Sequence, residues 1–297
     1  MKEYLVRDNR KAALAIARDW AAIFLIAWAN IEYNTLYLYI PSVWLIGGFQ
    51  FAIGESLLHE AVHHNLFRQK KLNYRLEFLY ALPFFRTVRQ FRNEHIVHHN
   101  SLGRKEDQLV EDYQQLGLYK NNINFFYTWF IKPVLGFAAY YYVRTISLRP
   151  FGKEGWKILV FWIAVLAVFL ATGKMLWLLK FWIIPLWWSC YSYLYWSEIS
   201  DHFYTRTGTR SNLNVLTNLV THNNGYHYVH HKYPTIPWFR LKRAYHDLLP
   251  AAGDISKGLI DTYRQIVHNK AMHPNDIFGN QSPGPQKEKQ YDHSGSI

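Results

Sequence analysis

The chain has 297 residues, of which 50% are hydrophobic, and its net charge is +12 with histidine counted as neutral. The basic residues are dispersed and no nucleic-acid-binding motif is present, so anionic lipid headgroups or an acidic protein explain the charge better than nucleic acid does. Cys190 is the only cysteine, which excludes a disulfide or a cysteine-ligated iron–sulfur cluster within the chain.

Apolar residues are concentrated in runs of nearly twenty, the length that crosses a hydrocarbon layer of about 30 Å. In chain order they predict four transmembrane helices, at approximately 20–40, 43–62, 156–171 and 176–200, paired as two hairpins that turn near Pro41 and Gly173. Residues 123–143 are also apolar, but Lys132-Pro133 interrupts them. This interruption favours a helix lying in the membrane interface.

The distribution of Lys and Arg predicts the orientation. The two hairpin turns carry one Lys between them, whereas the N-terminus, the middle connection and the C-terminal region are basic. By the positive-inside rule these basic segments, with both termini and the ends of the second and fourth helices, lie in the cytoplasm. The charged N-terminus has no apolar core followed by a cleavage site, so no removable signal peptide is expected.

The expected fold class is therefore an all-α integral membrane protein with four transmembrane helices and a cytoplasmic helical cap. A single domain is predicted for residues 1–273. Residues 274–297 are rich in Pro, Gly, Ser and Lys and are predicted to be a disordered tail.

Histidines carry the functional signal, because eleven of the fifteen lie in four short clusters. The clusters are 59–64 (HEAVHH), 95–99 (HIVHH), 198–202 (EISDH) and 222–231 (HNNGYHYVHH). On a helix, residues at i, i+3 and i+4 share one face, so each cluster brings its side chains together. Imidazoles that face one another without a metal would be hard to satisfy, and neutral imidazole binds iron, copper, zinc and nickel.

Eight or nine imidazoles are too many for one ion and suit two. A redox-active pair of irons can reduce dioxygen, which zinc cannot, so the pattern predicts oxidative attack on an unactivated C–H bond. A purely structural role, as a snorkelling or helix-capping side chain, is assigned only to the isolated histidines. These are His246, His268, His273 and His293.

Two other classes of protein remain as alternatives. The segment His59–His63 fits H-E-x-x-H, the zinc-protease signature in which Glu60 would activate water. It leaves the other clusters unexplained, because catalytic zinc takes three protein ligands. A non-enzymatic metal-handling membrane protein would line a path across the bilayer with polar groups, whereas these histidines are predicted on one face.

With these motifs the chain resembles the membrane fatty-acid desaturase superfamily, which includes acyl desaturases, hydroxylases and carotenoid ketolases. The superfamily signature is H-x3-4-H(H), H-x2-HH and a late H-x2-HH, and all three stand here in order. Similarity extends around them, through 54–67, 93–107 and 226–249, and covers about residues 40–250.

The resemblance implies a set of nine iron ligands, eight from the three boxes and one after the last span. These are His59 and His64, then His95, His98 and His99, then His202, and finally His227, His230 and His231. His63, within the first box, is a neighbour of these ligands, and both His63 and His222 are candidates either to bind iron or to support a ligand. Glu198 stands where some relatives have an Asn that acts through water, so direct ligation by its carboxylate stays open.

The resemblance also implies two iron ions, dioxygen as co-substrate and desaturation of an acyl chain or a similar lipid. Hydroxylation or ketolation of a lipid, a carotenoid or a small amphipathic molecule is the alternative. No electron-carrier segment is fused to the chain, so a separate ferredoxin-, rubredoxin- or cytochrome b5-like protein is expected, and a basic face suits an acidic one.

Overall fold

The computed structural model describes residues 2–120, 122–147, 152–249, 254–273 and 275–279, and these are mostly helical. The predicted all-α class is confirmed. The helices are α1 Asn9–Tyr33, α2 Leu36–Val62, α3 Lys70–Arg75, α4 Val88–Ser101, α5 Gln108–Gln115, α6 Phe137–Ser147, α7 Trp156–Ala171, α8 175–202, α9 Val215–Val220, α10 His227–Lys232, α11 Trp238–Leu248 and α12 Leu259–Met272. Shorter helical turns cover Lys2–Leu5, Glu77–Leu79, Leu82–Phe84, Tyr127–Ile131 and Lys132–Val134.

Two helices, α1 and α2, are long and apolar enough to cross a membrane. Helix α7 is apolar but has 16 residues. Helix α8 is helical without a break and contains π-helical segments at Leu179–Ile183 and Leu186–Cys190. The count of four membrane crossings therefore stays a prediction.

The first hairpin turns at Asn34, and the prediction of a turn at Pro41 was wrong. Asn34 has a φ of 41°, and its N–H donates to Asn30 O to close α1. Asn tolerates the left-handed conformation that such a cap requires. Pro41 is the sixth residue of α2, so it removes the hydrogen bond that its N–H would donate to Tyr37 O, and the helix nevertheless continues through it.

Helices α2 and α8 touch through their backbones. A Cβ at Gly47 would lie 2.0 Å from Ser189 Oγ and 2.7 Å from Cys190 N, so only glycine fits there. Ser189 Oγ in turn donates to Val43 O at 2.6 Å. Small residues permit this close approach between apolar helices, and the contact helps to set the position of α8 beside α2.

The segment after α8 is tied down by a buried arginine and a small parallel sheet. Strand β1, Arg210–Asn212, pairs with β2, Asp254–Ser256, with Arg210 opposite Asp254. The fully buried Arg210 guanidinium donates to Ser200 O at 2.6 Å and to Tyr204 O at 3.0 Å. Asn212 N donates to Gly225 O at 2.7 Å, and this bond attaches the chain just before α10 to the sheet.

The predictions of an interfacial helix and of a C-terminal tail agree with the structure only in part. The segment predicted as an interfacial helix, 123–143, is divided, and Gly136 with a φ of 71° separates Lys132–Val134 from α6. Of the predicted tail, residues 274 and 280–297 lie outside the described residues. Within 275–279, Phe278 stacks on Tyr113 with ring centroids 5.5 Å apart and belongs to the core.

Candidate metal centre

Nine histidines form two adjoining groups, and within each group one ring nitrogen per residue lies within 4.8 Å of the others. Group 1 consists of His59, His63, His95, His99 and His230. Group 2 consists of His98, His202, His227 and His231. Eight of these nine are the histidines that the sequence resemblance assigns as ligands, and the ninth is His63.

Helix geometry explains how the residues divide. In α4, His95 and His99 are at i and i+4 and join group 1, whereas His98 joins group 2. A capping box at the beginning of α4 fixes its start, because Thr87 Oγ1 accepts from Gln90 N and the Gln90 side chain accepts from Thr87 N. Helices α4 and α10 each contribute histidines to both groups, so the positions of the two groups are fixed relative to each other.

Group 1 cannot be satisfied by hydrogen bonds alone. His95 Nε2 lies 2.8 Å from His59 Nε2, 2.9 Å from His63 Nε2 and 2.8 Å from His99 Nε2. A ring nitrogen either donates one hydrogen or accepts with one lone pair, so it cannot serve three similar partners. A metal ion among these nitrogens would take a lone pair from each, and the donor set therefore fits a metal.

Group 2 fits a metal for a second reason. His202 Nε2 lies 2.9 Å from His227 Nε2 and 3.2 Å from His98 Nε2. His231 Nε2 is buried and has no hydrogen-bond partner in the described part of the chain. A buried nitrogen without a partner is costly, and a bound ion would satisfy it.

Burial also keeps the imidazoles in the form that binds a metal. Burial, with a smaller effect of the neighbouring histidines, lowers the pKa of His95, His99 and His231 well below the ordinary value. Each ring is thus neutral at physiological pH, with a lone pair available.

Hydrogen bonds behind group 2 orient its rings. His98 Nδ1 donates to the two Asp107 carboxylate oxygens at 3.1 and 3.3 Å, and His202 Nδ1 donates to Gly208 O at 2.9 Å. Asp107 also accepts from Gly103 N at 2.9 Å and Leu109 N at 3.1 Å, which fixes the carboxylate. Both bonds leave the Nε2 atoms free to face the centre of group 2.

The substitution Asp107→Asn should lower the affinity of group 2 for its metal and leave the affinity of group 1 unchanged. The amide keeps one acceptor but loses the charge that orients His98, and losses of roughly 10–100-fold follow such changes. We expect one of two ions to leave faster in a chelator chase monitored by absorbance. Glu106→Gln, which removes the neighbouring exposed charge, is the matched control. Equal release rates for both ions in Asp107→Asn would contradict this role.

Two of the sequence candidates lie outside both groups. His64 has a φ of 57°, and its Nε2 hydrogen-bonds to Tyr74 OH at 2.8 Å. His222 Nε2 lies 2.6 Å from Asp19 Oδ2, where it joins the α9–α10 connection to α1. Sequence reasoning ranked His63 below His64 as a ligand, although its i, i+4 spacing from His59 places both on one helix face.

Both glutamates singled out in the sequence also lie outside the two groups. Glu198 lies one turn before His202 and accepts a hydrogen bond from Tyr142 OH through Oε2. Glu60 is buried, and its Oε2 accepts from Trp238 N at 3.0 Å. Glu60 is thus hydrogen-bonded to the first residue of α11. It does not lie in the histidine group that contains His59 and His63, its neighbours in the HEAVH segment.

One cavity reaches the histidines, and a second lies beside it. The first, of about 180 Å³, is lined mostly by polar and charged residues and reaches both groups, with His95 and His202 in its wall. The second, of about 480 Å³, is apolar and is lined by aromatic residues such as Trp44 and Trp196. Ser197, Asp201 and Asn224 line both cavities, so the two are neighbours.

Comparisons with known proteins agree with this geometry. The chain is 27% identical to dihydrorhizobitoxine desaturase of Bradyrhizobium elkanii, over 80% of this chain and 75% of that protein. It is 23% identical to the sn-1 acyl-lipid omega-3 desaturase (ferredoxin) of a Synechocystis species, over 76% of this chain and 72% of that protein. The family model for fatty acid desaturases matches residues 34–263, which include every histidine of both groups. The chain belongs to the fatty acid desaturase family.

Proposed function

We propose that the protein is an oxygen-dependent desaturase that holds one iron in each histidine group and removes two hydrogens from an aliphatic substrate. The observation that carries the proposal is the division of nine converging imidazoles into adjoining sets of five and four. The proposed ligands are those nine histidines, with His63 in place of His64. The family and both relatives are named for desaturation.

The number of donors distinguishes group 1 from a structural zinc site. Five imidazoles converge there, whereas structural zinc takes four ligands in a tetrahedral arrangement.

When bound, the iron pair would supply the reduction of dioxygen coupled to C–H oxidation. Removal of two hydrogens from a CH₂–CH₂ unit, with two electrons and two protons added, converts O₂ to two waters. The protein contributes the ring orientation set by Asp107 and Gly208, and a small cavity that positions the carbon and limits access of water. Loss of only one hydrogen followed by return of hydroxyl would give an alcohol, the alternative product.

The apolar cavity beside the site supports an aliphatic chain, of a lipid or of a smaller amphipathic molecule, as the substrate class. One relative is named for dihydrorhizobitoxine and the other for an acyl lipid. The name of the second relative includes ferredoxin, which supports a separate electron carrier of that kind here. We place the site and both termini in the cytoplasm because of the basic charge of the segments around them.

Metal analysis tests the proposal directly. Protein from cells grown with iron-57 and purified in mild detergent should hold about two irons per chain. Its Mössbauer spectrum should show that the two irons are coupled. The variant His98→Ala/His230→Ala, which removes a ligand from each group, should lose that signal and all oxygen-dependent product. One tightly held zinc and no iron, from iron-replete cells, would overturn the proposal.

Glu60→Gln separates this function from the zinc-protease alternative. Glu60 accepts from a backbone N–H, and glutamine can accept the same bond, so we expect iron content and oxidative turnover to change by less than about threefold. A protease that used Glu60 as its base would lose all peptide hydrolysis in the same variant. Loss of oxidative activity in Glu60→Gln with both irons retained would contradict the position that the structure gives to Glu60.

A further inference from the structure

Helix α9 has the reverse of the polarity expected for a helix on a water-exposed surface. Its buried side chain is the polar Asn218, whereas Val215, Leu216 and Leu219 are 76%, 69% and 65% exposed. Asn218 Nδ2 donates to Asn212 O at 2.7 Å, so a hydrogen bond holds the polar side of the helix inward. A helix with its apolar side outward is unfavourable in water and is expected where that side meets lipid.

The exposed apolar surface continues onto the beginning of α12. Leu259 and Ile260 are exposed there, next to the exposed Lys257. The segments that lead into α9 and α12 are joined through the backbone, since Leu213 N donates to Ser256 O at 2.7 Å. Together the exposed side chains form one surface, the apolar rim, which consists of Val215, Leu216, Leu219, Leu259 and Ile260.

Arg18 marks the level of the apolar rim relative to the membrane. It stands two residues before Trp20, where the apolar run of α1 begins, and α1 is long and apolar enough to cross a membrane. The Arg18 guanidinium donates to Leu219 O and to Val220 O, both at 2.7 Å, which attaches the end of α9 to α1 at this point. The rim therefore lies near the boundary between headgroups and acyl chains, where an arginine can keep its charge in the polar layer.

The apolar rim borders the apolar cavity. Leu216 and Leu259 stand in the wall of this 480 Å³ cavity, together with Leu45 of α2. Leu45 is 55% exposed, and α2 is also long and apolar enough to cross a membrane. The outward side of the wall is thus formed by exposed apolar residues of a membrane helix and of the rim, so the opening of the cavity faces lipid.

We propose that the apolar rim lies in the lipid interface and forms the entrance through which the substrate passes from the bilayer into the apolar cavity. The role as an entrance rests on the proposed oxidative function, whereas the contact with lipid does not. The substrate would then be a molecule dissolved in the bilayer, and its concentration there, not in water, would set how often it meets the enzyme.

Fluorescence quenching tests the contact with lipid. The variant Leu219→Cys, in a Cys190→Ala background, is labelled with a thiol-reactive fluorophore and placed in phosphatidylcholine vesicles. A nitroxide carried near the headgroup of phosphatidylcholine should quench this label more than aqueous iodide does. It should also quench more than a nitroxide at the end of the acyl chain, because an interfacial helix lies about 5–10 Å into the boundary.

Lys242→Cys in the same background is the matched control. Lys242 lies on the exposed, charged side of α11, whose residues Leu241 and Tyr245 are buried, so its label should be quenched by iodide and not by lipid. Iodide quenching of the Leu219→Cys label as strong as that of the control label would overturn the proposal. Protection of the Leu219→Cys label from every quencher would show that a protein, such as a second copy of the chain, covers the rim, and would also overturn it.

Chemical labelling of the cavity wall tests the entrance. Ser200 lines the apolar cavity and is absent from the wall of the polar one, and Ser200→Cys replaces one oxygen with sulfur. In vesicles of the Cys190→Ala background, N-dodecylmaleimide should label this cysteine at least about tenfold faster than a sulfonated, water-soluble maleimide, because its alkyl chain concentrates it in the bilayer. Equal rates for the two reagents would show that the cavity is not entered from lipid, and would overturn the entrance.

A second substitution on α9 locates the entrance. Leu216→Trp should slow N-dodecylmaleimide several-fold, because a larger ring at the cavity wall narrows the opening. Val215→Trp is the matched control, since Val215 is the exposed neighbour of Leu216 and is absent from the cavity wall. An equal effect of the two substitutions would overturn the assignment of the entrance to Leu216.

Iron content separates this inference from the proposed function. Neither quenching nor labelling requires iron, so a chain without a pair of irons would remove the proposed function and leave both measurements valid. A chain with two irons whose rim is quenched by iodide would remove only the present inference. If Ser200→Cys fails to fold, the quenching of the Leu219→Cys label still decides whether the rim contacts lipid.

Discussion

His63→Ala should abolish activity and release iron from group 1, whereas His64→Ala should keep both irons and most of the activity. The two residues are adjacent in sequence, but His63 Nε2 lies 2.9 Å from His95 Nε2 while His64 Nε2 hydrogen-bonds to Tyr74 OH. Removal of a direct ligand should cost more than the roughly 10–100-fold that follows loss of a supporting group.

Iron per chain and turnover, measured side by side on the two variants, check this expectation. Each variant serves as the control for the other, since both remove one imidazole at the same end of α2. The reverse outcome, with His64→Ala inactive and His63→Ala active, would restore the ligand set implied by the sequence resemblance. Tyr74→Phe, which removes the partner of His64, should resemble His64→Ala.

Chelation should lower the apparent Tm of the protein by about 15 °C or more. Each ion present at about 1,000 times its Kd stabilises the folded state by about 4 kcal/mol, so a pair contributes about 8 kcal/mol, and each kcal/mol shifts Tm by about 2–4 °C. Without metal, the crowded nitrogens around His95 and the buried Nε2 of His231 are left without partners.

Differential scanning fluorimetry in detergent measures the shift before and after treatment with a membrane-permeant iron chelator. Reloading with ferrous iron under anaerobic conditions should restore the original Tm, and chelator already saturated with iron should have no effect. A shift below about 2 °C would show that the histidine groups do not depend on metal for stability.

The sequence was sufficient for the family, the all-α class and most of the histidines that converge. This is because helical spacing alone places His95 and His99 on one face. Two details were beyond it. The turn at Asn34 depends on a left-handed residue, whereas Pro41, the stronger local signal, lies inside a helix that continues through it.

Tertiary contacts decide the remainder of the site. The choice between His63 and His64 depends on where α2 ends, and His64 already has a positive φ in the turn that follows. Leu45 and Leu216 are far apart in sequence and carry no shared motif, so only the fold brings them to one cavity. The hydrogen-bond partner of His222 is Asp19 on α1, which no spacing within the fourth cluster could indicate.

The all-imidazole composition of the two groups has a consequence for how the protein must be produced. Nitrogen ligands bind zinc and copper more tightly than ferrous iron, following the Irving–Williams order, so the ligands themselves do not select iron. The metal that enters is then decided by supply at the moment of folding. Cells grown in zinc-rich, iron-poor medium would accumulate a folded, mismetallated and inactive enzyme.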